Sequence, residues 1–481
     1  MPDAQLSARA LETALGAWRS SGPANAALAD RIRLLVLDGR LPTDTRLPAE
    51  RDLATRLALS RTTVTAAYRR LREAGYLLSR RGSGSVTRLP RRGPGPVSVS
   101  DDGILDLTRA TLPPIEGIVE ASRRAVDALP ASLAHGGFDA VGTAALRAAI
   151  ADRYRTRGMP TAAEQVMVTL GAQHAISLLS RTLLGRGDRA LIETPTYPHA
   201  YEALRAAGAR LVPVPVSTES GWDEAALLQA LQHTSPTVAY LMPDFHNPTG
   251  RSMPMAMRER VLSAAARQGT ALIADETTAE LNIDRVGAFA PFGAASGARA
   301  GAAASTAILI GSVGKTLWGG FRVGWIRAEP ALIRKLVAAR AAGDLGTPVL
   351  EQLIVTQLLA EMDAILQRRR DQLRASRDSI RAQLNDRFPD WSVPEVDGGV
   401  AAWVNLGSPS SSRLALAARS QGLLITAGPR FGIDGAFERY LRIPIGYPAE
   451  EMARALDALE AAWLSVPRHP LPETAYLSDV V

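Results

Sequence analysis

From residue 104 onward, short apolar runs rich in β-branched residues alternate with segments of helix length. That alternation constrains the fold more than any other feature. It predicts strands over 166–170, 190–193, 211–216, 238–242, 271–275, 307–310 and 323–327. Between many of them it predicts helices over 143–157, 172–184, 255–268 and 331–341. Strands interleaved with helices argue for an α/β layer with a largely parallel sheet. Residues 350–386 read as mostly helical, and the last hundred residues mix strand and helix into a smaller α+β lobe. The Ala/Gly-rich stretch 287–305 reads as a surface loop.

The N-terminal part follows different rules. Leu11, Leu15 and Trp18 fall at helical spacing, so 6–20 is expected to be a short amphipathic helix that Ser20-Ser21-Gly22-Pro23 ends. Residues 1–90 hold 15 Arg against 8 Asp plus Glu, whereas the other 391 residues balance at 40 against 40. A basic N-terminal part on a neutral body fits a polyanionic partner for that part alone, or an Arg-rich soluble chain. The division expected is an N-terminal extension over 1–25, a reader over 26–90, a Pro/Gly/Ser-rich linker over 91–103, a large domain over 104–465 and a tail over 466–481. Within the large domain, the main subdomain is expected over about 140–345 and the small lobe over about 346–465.

Within the reader, Pro48 suits a first helical turn, and Glu50 and Asp52 suit its positive end. Ser60 is a good N-cap for a second helix, in which Val64, Ala67, Tyr68 and Leu71 share one apolar face. Two short helices of this kind make a helix-turn-helix. Residues 75–86 then read as a β-hairpin wing with arginines near its turn. The same residues would also suit a solvated helical domain with surface Arg.

Residues 47–59, 60–71 and 75–84 closely resemble the winged-helix domain of GntR-type bacterial regulators. The resemblance implies DNA contacts from Arg51, Ser60, Arg61, Thr62, Thr63 and Thr65, and from Arg81 and Gly82 in the wing. The implied partner is double-stranded operator DNA.

Lys315 is one of only two lysines, the other being Lys335. It follows an expected strand and small residues, with Ser312 and Arg322 flanking it. Such a lysine can be a structural polar partner of an arginine, or an amine held over a cofactor. Four further elements bear on the choice. Thr169-Leu170-Gly171-Ala172-Gln173 joins a strand to a helix start, where free amides bind phosphate. Tyr197 follows a strand and offers a stacking face. Asn247, in Asn247-Pro248-Thr249-Gly250, can bond a ring hydroxyl. Asp275 ends a strand and can pair with a pyridine nitrogen.

In this order the elements resemble fold-type I aminotransferases over nearly all of 104–465. The resemblance implies pyridoxal 5'-phosphate as cofactor, with Lys315 as its Schiff-base lysine and Asp275 at the pyridine nitrogen. It also implies Asn247 at the ring hydroxyl, Tyr197 stacked, and Gly171, Ala172, Gln173, Ser312 and Arg322 around the phosphate. Arg442 matches the arginine that binds a substrate α-carboxylate. A GntR-type reader joined to this fold resembles the MocR subfamily of regulators. Members use the cofactor, sometimes with an amino compound, as effector, and commonly form head-to-tail homodimers. Three positions depart from the pattern: Thr277 and Phe138 stand where relatives often have Tyr, and Gly314 where they often have Ser. Phe138 and Gly314 lack the hydroxyl and Thr277 replaces a phenol by a shorter alcohol, so a cofactor held less tightly, or tuned less for turnover, is expected.

The chain has no Cys, which excludes disulfides, thiolate metal sites and a Cys nucleophile. The six His residues show no metal-ligand spacing, so no metal is expected. No apolar run reaches the length of a membrane span, and the first twenty residues show no export signal, so a cytoplasmic protein is expected. The leading expectation is a transcription regulator that senses pyridoxal phosphate. The alternatives are an active aminotransferase with an appended DNA-binding domain, and an architectural DNA-binding protein whose large domain only dimerises.

Overall fold

The computed structural model describes residues 6–16, 18–19, 23–37, 41, 45–80, 84–88, 104–134, 136–285, 290–294, 307–433 and 435–466. Wing residues Arg81 and Gly82, the linker 91–103 and most of 287–305 lie outside them. The chain forms two compact units. One comprises 1–108, 408–427 and 450–481; the other comprises 109–407 and 428–449.

The first unit contains the helices Ala8–Leu15, Ala24–Leu37, Glu50–Leu57 and Arg61–Glu73, followed by the antiparallel strands Leu77–Arg80 and Gly84–Thr87. The four helices share one core, into which Leu11, Leu15 and Trp18 pack beside Leu53, Val64 and Tyr68. Glu12 pairs with Arg56 at 2.6 Å, and Arg31 donates to the Leu15 carbonyl at 2.8 Å. The N-terminal helix thus packs into the same core as the other three. The same unit holds a parallel pair of short strands, Leu105–Asp106 and Leu423–Leu424, and the helix Ser411–Ser420.

The second unit is built on an eight-stranded sheet. Its spatial order is Val166–Thr169, Gly324–Arg327, Ile308–Ser312, Ala271–Asp275, Val238–Leu241, Arg189–Thr194, Arg210–Ser217 and Gly221–Trp222. Pairings from Ile308–Ser312 across to Arg210–Ser217 are all parallel. Gly324–Arg327 runs antiparallel to both neighbours, and Gly221–Trp222 to its one. All seven expected strands are present, and the expected helices appear as Ala144–Thr156, Ala172–Leu183, Met255–Gln268 and Pro330–Arg340.

The apolar runs arise because both sheet faces are covered. Leu272 and Ala274 face one core, with Leu191, Leu241 and Leu309, while Ile273 faces the other, with Ile192, Tyr240 and Ile310. The parallel pairing puts the carboxyl ends of these strands at one rim. Ligands of open α/β sheets bind at that rim. Helices Val349–Leu359 and Met362–Arg387 complete the expected helical stretch, and Ala401–Asn405 pairs antiparallel with Tyr440–Pro444.

Candidate functional site

In the reader, Ser60 caps the second helix as its sequence position requires: its Oγ accepts from the Thr63 amide at 3.1 Å. Val64, Ala67, Tyr68 and Leu71 are buried, so Arg61, Thr62 and Thr65 are left exposed. Arg51 is also exposed, and Thr63 is half-buried. All four of the expected contact hydroxyls already have partners within the chain. Ser60 meets Thr62 and Thr63, and Thr65 donates to Glu50 at 2.6 Å. Glu50, which sequence reading treated only as a helix-start acid, also lies 3.5 Å from Arg72. It thereby clamps the two helices at a fixed angle.

In the second unit, Lys315 follows the strand Ile308–Ser312. It is partly buried, and its Nζ donates to the Ala110 carbonyl. Burial first, and the cations of Arg442 and Arg322 next, lower its pKa to about 8 against an opposing pull from Asp275. A minor but accessible fraction of the amine is therefore neutral close to physiological pH, and nucleophilic attack on a carbonyl requires that form.

Asp275, at the end of the adjacent strand, is only 2% exposed. Its Oδ2 accepts from Tyr240 Oη at 2.6 Å and its Oδ1 from the Thr277 amide at 2.9 Å. Burial still raises its pKa despite these donors. A buried carboxylate in this condition is suited to a cationic partner such as a protonated pyridine nitrogen. Tyr240 went unnoticed in the sequence, where it reads as one more core residue of a strand.

Tyr197 caps the helix Pro198–Ala206 and is half-buried. Its phenol is pushed up to about 12, by burial above all and then by Asp275. Asn247 has its side-chain oxygen buried without a hydrogen-bond partner among the described residues. An amide offers a donor and an acceptor to a ring hydroxyl, so this orphan is consistent with a heteroaromatic ligand.

The expected phosphate cradle comes together. Gly171, at φ +79°, opens the helix Ala172–Leu183, whose first amides, Ala172 and Gln173, have no intrahelical partner. Arg322 lies across that turn and donates to the Leu170 carbonyl at 3.2 Å. A Cβ at Gly171 would come within 2.8 Å of its Nη2. Ser312 is differently engaged: its hydroxyl donates to the Val323 carbonyl at 3.1 Å and accepts from the Gly314 amide at 3.0 Å. A Cβ at Gly314 would lie 3.3 Å from that hydroxyl, so the position leaves little room for the Ser common in relatives.

Arg442 sits on the strand Tyr440–Pro444, opposite Trp403, with its guanidinium 5.0 Å from the Phe431 ring centroid. Its charge lowers the pKa of both Lys315 and Tyr197, against the burial that raises the latter. Phe138 is 79% exposed, in a turn that Asp139 holds by accepting from the Val141 and Gly142 amides. Thr277 lines a cavity of about 20 Å³ with Glu276, Arg157 and Ser312, room for about one water.

No group of His, Asp and Glu suited to a metal occurs among the described residues, and none of their helices is long and apolar enough to cross a membrane.

Residues 103–459 match the family described as aminotransferase class I and II, and residues 24–86 match the bacterial regulatory proteins of the gntR family. The chain is 32% identical over 305 residues to a 2-aminoadipate transaminase of Thermus thermophilus, covering 63% of this chain and 74% of that one. It is 29% identical to a probable rhizopine catabolism regulatory protein, MocR, of Rhizobium meliloti, covering 79% of this chain and 80% of that one. Among solved structures it resembles LysN, the α-aminoadipate aminotransferase of Thermus thermophilus, complexed with N-(5'-phosphopyridoxyl)-L-leucine. The TM-score is 0.66 at 28% identity, covering 76% of this chain and 94% of that chain.

Proposed function

The chain belongs to the class I and II aminotransferase family with a GntR-type reader ahead of that domain, and on this premise we propose that it is a pyridoxal-phosphate-dependent transcription regulator of the MocR kind. One observation carries the reading. A lysine amine lowered to about 8, set among Arg322, Arg442 and Asp275, occurs in the same chain as a helix-turn-helix with an exposed Arg/Thr face. The reader is assigned to about 26–90 and the sensor to about 104–465.

The residues divide the work as follows. Lys315 would be the amine that holds the cofactor, and Asp275 would face its ring nitrogen and favour the protonated form. Tyr197 covers the ring and Asn247 bonds the ring hydroxyl. The amides of Ala172 and Gln173, with Gly171 and Arg322, would hold the phosphate, and Ser312 would join them by turning its hydroxyl away from the Val323 carbonyl. When bound, pyridoxal phosphate supplies an aldehyde that primary amines condense with and a ring that withdraws electrons. Arg442 orients the carboxylate of an amino effector. In the reader, Arg61 reaches a guanine edge, while Arg51, Ser60, Thr62, Thr63 and Thr65 contact backbone or bases, joined by Arg81 and Gly82 of the wing.

The protein acts in the cytoplasm as a homodimer, arranged head to tail. Its two readers engage half-sites whose centres are separated by multiples of about 34 Å. Regulation requires that cofactor or effector bind two arrangements of the dimer unequally.

Footprinting upstream of the gene, with and without pyridoxal phosphate, tests this reading. Cofactor-dependent protection is expected. Absence of protection at moderate salt, together with sustained keto-acid production, would favour an active aminotransferase. That second reading has specific support: Lys315, Asp275 and Arg442 all remain in place, and a transaminase stands among the relatives.

A further inference from the structure

His174 lies in the first turn of the helix that opens the phosphate cradle. Its Nδ1 accepts from the Leu170 amide at 3.1 Å, so that nitrogen carries no proton. In the neutral ring the proton sits on Nε2, which lies 2.9 Å from Asp344 Oδ2. The other Asp344 oxygen takes Arg340 Nε at 2.7 Å and the Gly346 amide at 3.0 Å. Arg340, fully buried, donates through Nη1 to the carbonyls of Val168 at 2.7 Å and Ala140 at 2.8 Å. The imidazole thus stands between the Leu170 amide and an Asp344–Arg340 pair that is bonded back to the strand ending at the cradle; Nε2 lies beside Asp344 but makes no hydrogen bond among the described residues. On the far side of the turn, Arg322 holds the Leu170 carbonyl. The peptide groups of Leu170 are therefore gripped at both ends, immediately before Gly171.

We propose that His174 is a positioning residue for the cofactor phosphate, and that its protonation opens the cradle turn and releases the cofactor on acidification. A proton on Nδ1 would set two N–H donors against each other, and one must move. Leu170 is the end free to swing, because Gly171 follows it. The charged groups facing the ring are Asp344 and Arg340 from the helix Pro330–Arg340 and its following turn, and Arg181 from its own helix. Burial is the largest influence and disfavours the cation. Asp344 favours it, and Arg340 and Arg181 oppose it. The net direction is below the ordinary histidine value, so the turn is intact at neutral pH. The hold weakens as pH falls below about 6.5. The inference rests on the proposal that this cradle binds pyridoxal phosphate.

The test uses the full-length chain and its His174→Asn and His174→Leu variants. Asn offers an amide oxygen where Nδ1 stood and does not titrate. Pyridoxal phosphate is titrated between about pH 8 and about pH 5.5, spanning the imidazole range. Lys315 and the phosphate titrate alike in all three chains, so differences between them isolate the ring. The Asn variant is expected to bind within about threefold of wild type at pH 8, and to lose about tenfold less affinity on acidification. The Leu variant is expected to bind about tenfold more weakly at pH 8. Parallel pH profiles for wild type and Asn, or wild-type affinity in the Leu variant, would overturn the proposal.

Hydrogen exchange of the 166–176 peptide in cofactor-free protein decides the matter independently. At acid pH it should be faster in wild type than in the Asn variant. Equal exchange overturns the role of His174 whether or not the chain binds pyridoxal phosphate, whereas absence of binding by wild type would sink the cofactor reading alone.

Discussion

Lys315 offers the sharpest quantitative consequence. With a pKa of about 8, roughly one amine in ten is neutral at pH 7, against about one in 2,500 for an ordinary lysine near 10.4. If only the neutral amine attacks, capture of pyridoxal phosphate is roughly 200-fold faster at pH 7 than for an unperturbed lysine of equal nucleophilicity. Stopped-flow absorbance across about pH 6 to 10 reads this directly. The rate is expected to climb with pH and to level off just above 8. Arg442→Gln removes one of the cations that lower the pKa, but burial is the larger cause and stays. The levelling point should therefore move upward without reaching the ordinary value, and capture at pH 7 should slow by a few fold. A wild-type rate that keeps rising tenfold per pH unit beyond about 9.5 would refute the argument. So would an Arg442→Gln profile superimposable on wild type.

Three further outcomes are expected. Arg61→Ala should cost about 1–3 kcal/mol of discrimination at one base position in a binding-selection assay, whereas Arg51→Ala, if Arg51 meets the phosphate backbone, should weaken all sequences alike and flatten the salt dependence. Phe138→Tyr should tighten cofactor binding about tenfold or more in the dimer without altering thermal stability, because the ring is already exposed and the change only adds a hydroxyl; unchanged affinity would dissociate this residue from the phosphate. Tyr240→Phe removes a donor that lowers the Asp275 pKa, so the buried carboxyl should hold its proton to higher pH and the affinity for pyridoxal phosphate should fall about tenfold, as equilibrium titration would show.

Local rules made some of these parts readable and hid others. The strand Ala271–Asp275 announces itself because both faces are covered, so Leu272, Ile273 and Ala274 are all apolar. The recognition helix is readable because its core face follows the helical period and Ser60 caps it. Lys315, Asp275 and Asn247 stand at strand ends or in turns with few residue types to choose among, so order along the chain brings them to notice. Tyr240 and His174 do not stand out in this way. One looks like core and the other like an ordinary helical polar residue, and their partners, Asp275 and Asp344, are distant in sequence. Ser312 adds a partner that its position does not announce: its hydroxyl donates to Val323, beside the antiparallel strand Gly324–Arg327. The N-terminal helix was legible from Leu11 and Leu15, but its packing into the reader's core depends on Arg31 and Arg56, which have no periodic relation to it.

A residue that sequence reading passed over also explains how the Lys315 amine is held. Arg369 is buried in the helix Met362–Arg387, and among the described residues its donors go to carbonyls and Gln372. Nε and Nη2 reach the carbonyls of Thr316 and Leu317 at 2.9 Å each, and Nη2 also reaches Pro113 at 2.5 Å. Burial lowers its pKa to about 10, which still leaves it charged at neutral pH. A guanidinium desolvated this far is destabilising unless its hydrogen bonds are satisfied. Those bonds go to both sides of the amine: Thr316 and Leu317 directly follow Lys315, and Pro113 lies three residues after Ala110, whose carbonyl accepts from Nζ. The Ile115 amide donates to the same Leu317 carbonyl at 3.2 Å. Tyr447 donates to the Arg109 carbonyl at 2.8 Å, so the segment 109–115 is fastened at each end and in the middle.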